Sequence, residues 1–542
     1  MLFLGNVSGH DFQFHVASWM DAAGQWREGI AYPRWAEWAN WGFGEPRFIF
    51  YPPASWTLGA ALGVVLPWAA VPGVFIGIVL AGGGMAMWKL AREWLPGRYP
   101  IVAALLFEVN PYHLVIVYYR SDFAELLALA VLPLAIRGAL HVARGEWRSA
   151  PLLALAFAGI WLSNAPAAVI VTYALPLLLI VLSAMRRSLM PFVGGAASMI
   201  GGFGLAAFYI LPAAWERRWV QIGQVVADNL NPARNFLFTR ANDPDFAAFN
   251  WKVSWAALGM MVVTLAAAVA AARRFRQREI FWPLAAIALV SIALMLPLAN
   301  FVWRLAPELE FVQFPWRWLG PLGVAFAFFV AAAMATARRR WLAWVACAAL
   351  FAAIAGAGTA MIRTAWWDTG DVPALAAAIH SRGGYRGTDE YDPAGCDRYE
   401  LPGDPDDTER TQGVSAIPAQ QIERLDPNSG EITAASGLEI RIEKWSADRR
   451  EFTAEVPEPV TLAPRLMNYP AWKVLVDGAP VRPGAAKDNG RMLVALPAGR
   501  HQVEARFTET PDRAVGDAIS AFFGLVLLAF AGWRRRVTPH LG

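Results

Sequence analysis

Apolar runs of about 20 residues, the length that crosses a bilayer as a helix, recur along this chain from Ser55 onward. They cover Ser55 to Trp88, Ile101 to Tyr119, Phe123 to Ala143, Ala150 to Ser163, Ala165 to Ala184 and Pro191 to Pro212. After a polar interval they resume at Val253 to Ala272, Ile280 to Asn300, Leu319 to Ala337, Trp341 to Met361 and, far downstream, Val515 to Trp533. A chain patterned in this way is mainly α-helical, a polytopic membrane bundle of about 11 to 13 segments. The first run is too long for one passage and holds Pro67 and Pro72. Its first half therefore reads as a re-entrant or tilted helix ahead of the true span.

Two stretches break from this pattern. Ahead of the first run, Phe12, Val16, Trp19, Ala23 and Trp26 recur at steps of four and three, a helical face rich in tryptophan. Such a face suits a helix lying among lipid headgroups. Downstream, the region from Arg363 to about Asp512 is a domain of its own. Its first half, with YRGTDEYDP at Tyr385 to Pro393 and LPGDPDDTE at Leu401 to Glu409, reads as extended loops. Its second half alternates apolar and polar residues in LEIRIEKW, REFTAEV, WKVLVDG, RMLVALP and HQVEARF. Strands at that spacing, with turns at Asp477-Gly478 and Asn489-Gly490, predict a small antiparallel β-sandwich. The expected divisions are a membrane domain over 1–362 with outer loops 1–53 and 213–252, a loop-rich and β-sandwich domain over 363–512, and a last span with a basic tail over 513–542.

Composition agrees with a membrane protein, since 56% of the 542 residues are hydrophobic and 17% charged. The formal charge of +4 does not point to nucleic acid, because the basic residues cluster between apolar runs. Those clusters, at Lys89 to Arg98, Arg137 to Arg148, Arg186 and Arg187, Arg273 to Arg278, Arg338 to Arg340 and Arg534 to Arg536, fall on one side if Ser55 to Trp88 passes once. The positive-inside rule makes that side the cytoplasm and the other side extracytoplasmic. Cys347 and Cys396 lie in different environments, apolar and polar, so neither a disulfide framework nor a Cys metal site is expected.

The motifs left on the outer side carry the candidate chemistry. They are GHDFQFH at Gly9, YPRW, FYPP, YYRSDFAE at Tyr118 to Glu125 and FVQFPWRW at Phe311 to Trp318. Together they resemble the bacterial GT-C membrane glycosyltransferases, and more narrowly the YfhO-like proteins and the membrane proteins labelled 6-pyruvoyl-tetrahydropterin synthase-related. The sandwich with YPAWKVLVDG at Tyr469 to Gly478 is similar to the YfhO-like tail. The resemblance implies a polyprenyl-phosphate sugar donor, an extracytoplasmic glycan or lipid acceptor, and a site in the bacterial inner membrane. It also implies an acid in the first outer loop and further acids in the second, places held here by Asp11 and by Asp122 with Glu125. GT-C enzymes carry a span before the first outer loop, and here eight residues precede Gly9; the resemblance therefore implies a span encoded upstream or a site lacking one wall helix. Pterin chemistry would need a zinc-binding histidine cluster, and only His10 and His15 of the seven histidines are close in sequence.

Sugar transfer from a lipid phosphate needs a base for the acceptor hydroxyl and cations for the leaving phosphate. Asp11 is the candidate base; as an Asp opening a helix it reads equally as an N-cap. His10 and His15 flank it as candidate substrate-binding groups. Arg120, Arg217 and Arg317 are candidate phosphate ligands, since guanidinium forks match phosphate oxygens, although for any one of them the reading as an interfacial anchor comes first. Asp122 and Glu125, three apart at a helix entrance, are candidates for acceptor hydroxyls or for a divalent cation such as Mg²⁺ or Mn²⁺, the one cofactor these acids suggest; they read equally as favourable charge at a helix N-terminus. Glu108, inside a span, is expected to hydrogen-bond a neighbouring helix. A non-catalytic membrane protein, such as a lipid or polysaccharide transporter or an inactive glycosyltransferase relative, is the alternative. Against it, no internal repeat is found and the polar residues gather on one face.

Overall fold

A computed structural model describes residues 5–240, 242–367, 370–401, 421–426 and 431–537. Most of the LPGDPDDTE segment and the side chains of Arg534 to Arg536 lie outside the described residues. Among the described residues eight helices are long and apolar enough to cross a membrane: Trp68–Ala91, Tyr99–Arg120, Phe123–Ala143, Ala165–Arg186, Pro244–Ala272, Pro315–Thr336, Arg340–Thr364 and Pro511–Phe530. Two further pairs reach that length only together, Met190–Leu205 with Ala207–Trp219, bent by 73°, and Arg278–Leu294 with Pro297–Leu305, bent by 90°. The remaining expected segments are the short helices Pro53–Val65 and Ala150–Ser163. Proline stands in the first turn of many of these helices, Pro53, Pro72, Pro100, Pro166 and Pro244 among them, where its missing N–H is one the helix leaves unpaired anyway.

Pro53–Val65 does not cross. Pro52 borders the cavity described below, and the bend that follows returns to the same end, where Asn6 donates to the Ala69 carbonyl at 3.0 Å. The span after it then runs to the opposite end. There the basic clusters meet: Glu279 accepts from Arg144 at 3.0 Å and from Arg186 at 2.6 Å, and Glu93 pairs with Arg137 at 2.5 Å.

Helix Phe12–Arg27 forms, and its expected apolar face is buried apart from the half-buried Trp26. It does not lie on a membrane surface, however. Trp19 stacks on Phe75 at 5.0 Å and meets Phe123 edge-on at 4.9 Å. The opposite face is covered as well, with Asp21 accepting from Gln25 and from Tyr385, each at 2.8 Å. The periodicity reported one apolar face correctly; it could not report that the polar face is also covered, because the covering chain is hundreds of residues away.

The β region forms two antiparallel sheets. One has the order β2 (Ile432–Ala434), β1 (Ile422–Leu425), β5 (Val460–Pro464), β9 (Met492–Leu496), β8 (Gly484–Ala485). The other runs β3 (Glu439–Ser446), β4 (Arg449–Val456), β10 (Gly499–Phe507), β6 (Trp472–Val476), β7 (Ala479–Val481). Their inner faces share one core that includes Phe452, Leu462, Val474, Val494 and Val503. Asp477-Gly478 makes the β6–β7 turn with positive φ at both residues, 53° and 79°, the geometry two-residue hairpins favour. The loops expected before the sandwich also contain a helix, Asp371–His380.

The sandwich is fastened to the bundle through buried charge. Glu216, 0% exposed, is gripped by Arg513 at 2.6 and 2.8 Å and accepts from Tyr469 at 2.5 Å. Arg450 of β4 pairs with Glu37 at 3.2 Å. Glu108 departs from expectation. Neither of its carboxyl oxygens has a hydrogen-bond partner among the described residues; the carboxyl instead occupies room left by Gly83 and Gly84, where a β-carbon would stand 2.8 and 3.2 Å from its atoms.

Candidate active site

The span Tyr99–Arg120 does not reach its end as a plain α-helix. Asn110 caps a new turn at Pro111, accepting from Tyr112 and His113. The last five residues, Ile116–Arg120, then take the wider π form. Ser121 follows in the left-handed region (φ 53°), and Asp122 caps the next helix by accepting from the Glu125 N–H at 2.9 Å. This abrupt reversal brings Arg120, Asp122 and Glu125 together. Irregular helical turns of this type recur at functional sites.

Arg120 is buried and holds three carboxylates: Asp11 at 2.8 Å, Asp122 at 2.9 Å and Glu125 at 2.8 Å. Arg317 enters from the short turn Pro315–Trp318, its Nε 3.2 Å from Glu125 and its Nη2 3.6 Å from Asp122. Trp316 and Phe314 flank the guanidinium of Arg120 at 5.3 and 5.7 Å. Tyr112 donates its hydroxyl to Glu125. His15 lies 3.6 Å from Asp122 on one side and 2.5 Å from the Tyr51 hydroxyl on the other. Burial works to raise the Asp122 carboxyl, but Arg120 and His15 outweigh it and hold the group well below the usual carboxylate range.

Six of the seven residues expected to serve the site besides Asp11 therefore border one place. His10 is exposed at the rim, against Phe249 at 5.1 Å. Arg217 is not brought there: it is 48% exposed and pairs with Glu308 at 3.1 Å. The two readings of Asp11 also separate. Asp11 precedes helix Phe12–Arg27 but makes no side-chain cap hydrogen bond, its carboxylate being turned to Arg120. Asp122 does cap, with one oxygen, while the other meets Arg120.

Asp122 and Glu125 face guanidinium groups and not open space. Among the described residues no group of three or more His, Cys, Asp or Glu is placed to hold a metal ion. The donors present do not fit a divalent cation, and His10 and His15 point to different neighbours.

Asp11, 34% exposed at its side chain, is the acid of this cluster that opens outward, against 5% for Asp122 and 1% for Glu125. It opens on a cavity of about 590 Å³. Aromatic residues dominate the walls, with Phe14, Tyr51, Phe249 and Trp316 among them, and Asn164, Gln313 and Thr388 add polar groups. Sequence reasoning missed the roof, Thr388 to Tyr391, although those residues lie in the YRGTDEYDP stretch read as a loop. It also missed Tyr112, whose only local signal is the Asn110-Pro111 helix start.

No curated protein matches this chain. The single-particle cryo-EM structure of arabinofuranosyltransferase AftD from Mycobacteria is similar over 70% of this chain, at 18% identity and a TM-score of 0.42. The matched part spans 28% of that protein's chain. The family model of the 6-pyruvoyl-tetrahydropterin synthase related domain, described as a membrane protein, matches residues 48–363. By that match over more than half of its length, the chain belongs to the 6-pyruvoyl-tetrahydropterin synthase related family of membrane proteins.

Proposed function

We propose that this protein is an integral membrane glycosyltransferase that moves a sugar from a polyprenyl-phosphate donor to a glycan or lipid acceptor outside the cytoplasm. The observation that carries the reading is Asp11, an acid held 2.8 Å from Arg120 at the mouth of an aromatic-walled cavity. Aromatic faces suit sugar rings and prenyl chains, and a partly exposed carboxylate suits proton abstraction from a hydroxyl. The cavity end faces the extracytoplasmic side and the basic end the cytoplasm, in keeping with the positive-inside rule.

The charges suggest how the step runs. Three carboxylates share two guanidinium groups, so an arriving phosphate competes with Asp11 for Arg120. As the phosphate takes that cation, the Asp11 carboxylate is freed to face the acceptor hydroxyl. Asp11 accepts the acceptor's hydroxyl proton while the hydroxyl oxygen bonds to the sugar's anomeric carbon. The bond from that carbon to the phosphate oxygen breaks on the opposite face, and its electron pair leaves on polyprenyl phosphate beside Arg120. The configuration inverts. A second reading, a non-catalytic relative, draws on the same arginines, because each is already satisfied by carboxylates.

Asp11→Asn decides between them. The carboxylate does not cap the helix, so the variant folds. Its transfer from polyprenyl-phosphate sugars, measured in lipid nanodiscs, falls by roughly 10² or more if Asp11 is the base. A folded variant transferring at the wild-type rate sinks the proposal.

A further inference from the structure

One carboxyl bordering the cavity has no part in the chemistry above. Glu390 lies in the short turn Asp389–Tyr391, which lines the cavity through Glu390 and Tyr391. Its neighbours are all engaged. Thr388 donates its backbone N–H to Glu45 at 2.9 Å, and Asp389 pairs with Arg398. Tyr391 stacks on Phe50 with centroids 5.6 Å apart and planes 15° apart. Asp392 accepts from Asn40 at 2.8 Å. The turn is thus pinned on both sides, whereas Glu390 has no ion pair among the described residues and faces the cavity.

We propose that Glu390 binds the acceptor, hydrogen-bonding hydroxyl groups of a sugar whose ring lies against the aromatic walls of this cavity. The inference rests on the glycosyltransferase reading and assigns a substrate class to the part of the cavity wall formed by Glu390. Three features support it. A pinned turn holds the carboxyl in place before a ligand arrives, which lowers the cost of binding. A half-buried carboxyl that faces a cavity, with its own backbone N–H as its donor, has acceptor capacity left for a hydroxyl. Burial, with Glu45 and Asp389 nearby and Arg398 opposing them, pushes its ionisation up to about 7, so near neutral pH it can donate as well as accept. Sugar hydroxyls need both.

The test uses the full chain in lipid nanodiscs, with the methyl glycosides of glucose, galactose and mannose as probes. A hydrophobic carbodiimide, which tags protonated carboxyls, reports on Glu390 by peptide mass. At least one glycoside is expected to slow tagging of Glu390 in the wild-type protein. Glu390→Gln is expected to weaken binding of that glycoside, read by saturation-transfer NMR, by about tenfold. The proposal is overturned if no glycoside slows the tagging, or if the Gln variant binds as the wild type does. The protection measurement needs no variant, so a Gln protein that fails to fold leaves the test intact. If Asp11→Asn abolishes transfer while Glu390→Gln binds normally, only this proposal falls. If Asp11→Asn transfers normally while Glu390→Gln loses the glycoside, the sugar site stands and the enzyme reading falls.

Discussion

Gly9 presses against Tyr119 so closely that a β-carbon on it would stand 2.5 Å from the Tyr119 carbonyl oxygen and 2.6 Å from the carbonyl carbon of Arg120. Around this contact the N-terminal segment is tied to the π turn by the Asp11 N–H donating to the Arg120 carbonyl at 2.8 Å and the Gly9 N–H donating to Ser121 Oγ at 3.0 Å. Gly9→Ala must push the two backbones apart and carry Asp11 away from Arg120. Displacements of about 1 Å at reacting groups cost on the order of 10²-fold in rate. The expected outcome is a folded protein with transfer reduced at least tenfold, and normal transfer would show that the Asp11–Arg120 contact is not needed.

Arg317→Lys keeps the charge and loses the fork. Arg317 spans Glu125, Asp122 and the Val312 carbonyl, the last at 3.1 Å, and an ammonium cannot meet all three. Donor affinity, measured with a polyprenyl-phosphate sugar, should fall about tenfold while the helical content is kept. Unchanged affinity would leave Arg317 a structural tie.

Removing the acid between the bundle and the sandwich should be severe. Glu216→Ala strands Arg513, 1% exposed, without its partner, and breaking a buried pair from one side typically costs about 3–5 kcal/mol. The double variant Glu216→Met, Arg513→Met removes both charges and should recover most of the loss. Thermal unfolding in detergent compares them, and equal instability in single and double variants would refute the argument.

The proposed orientation has its own test. Protease added to spheroplasts should cut within the region from Arg363 to Asp512, and protease added to inside-out vesicles should spare it. The reverse pattern would invert the topology.

The pH dependence of stability at Glu390 follows from the direction of its shift. Its ionisation is raised from 4.5 to about 7 in the folded protein. Below about pH 4.5 both folded and unfolded chains hold the proton, and the group costs nothing. As pH rises toward 7 the unfolded chain ionises first, so its stability contribution is lost progressively. Glu390→Gln does not titrate, so its stability relative to wild type should rise between pH 5 and pH 8, by up to about 3 kcal/mol. A difference that stays flat over that range would contradict the shift.

Much of this arrangement could be read in the sequence, and the reasons differ by element. Apolar runs betray spans because lipid tolerates little else, and β4, β6, β9 and β10 alternate because each shows one face to the sandwich core. Arg120, Asp122, Glu125 and Arg317 stood out as charges at the ends of apolar runs, where a reason for charge is always needed, and Asp11 as an acid opening a tryptophan-rich helical face. Their pairing was not legible, because it depends on a π turn and a left-handed serine that no local pattern marks. Glu390 was read as loop because a Gly-, Asp- and Pro-rich stretch signals a turn whether it hangs in solvent or roofs a cavity. Arg217 looked like its partners by position and composition, and only the fold separates it from them.

The hydrogen bond from Tyr385 to Asp21 joins residues 364 positions apart, and this has a consequence for how the protein is made. When Asp21 leaves the ribosome, the chain that will cover it has not been translated. For most of synthesis the tryptophan-bearing helix must wait with its polar face uncovered, and the cavity has no roof. Loop closure over such a separation is slow, and partly built intermediates expose surface that associates wrongly. The site is therefore completed among the last acts of folding, so a nascent chain halted before Tyr385 carries Asp11 and Arg120 but lacks the Thr388, Glu390 and Tyr391 part of the cavity wall.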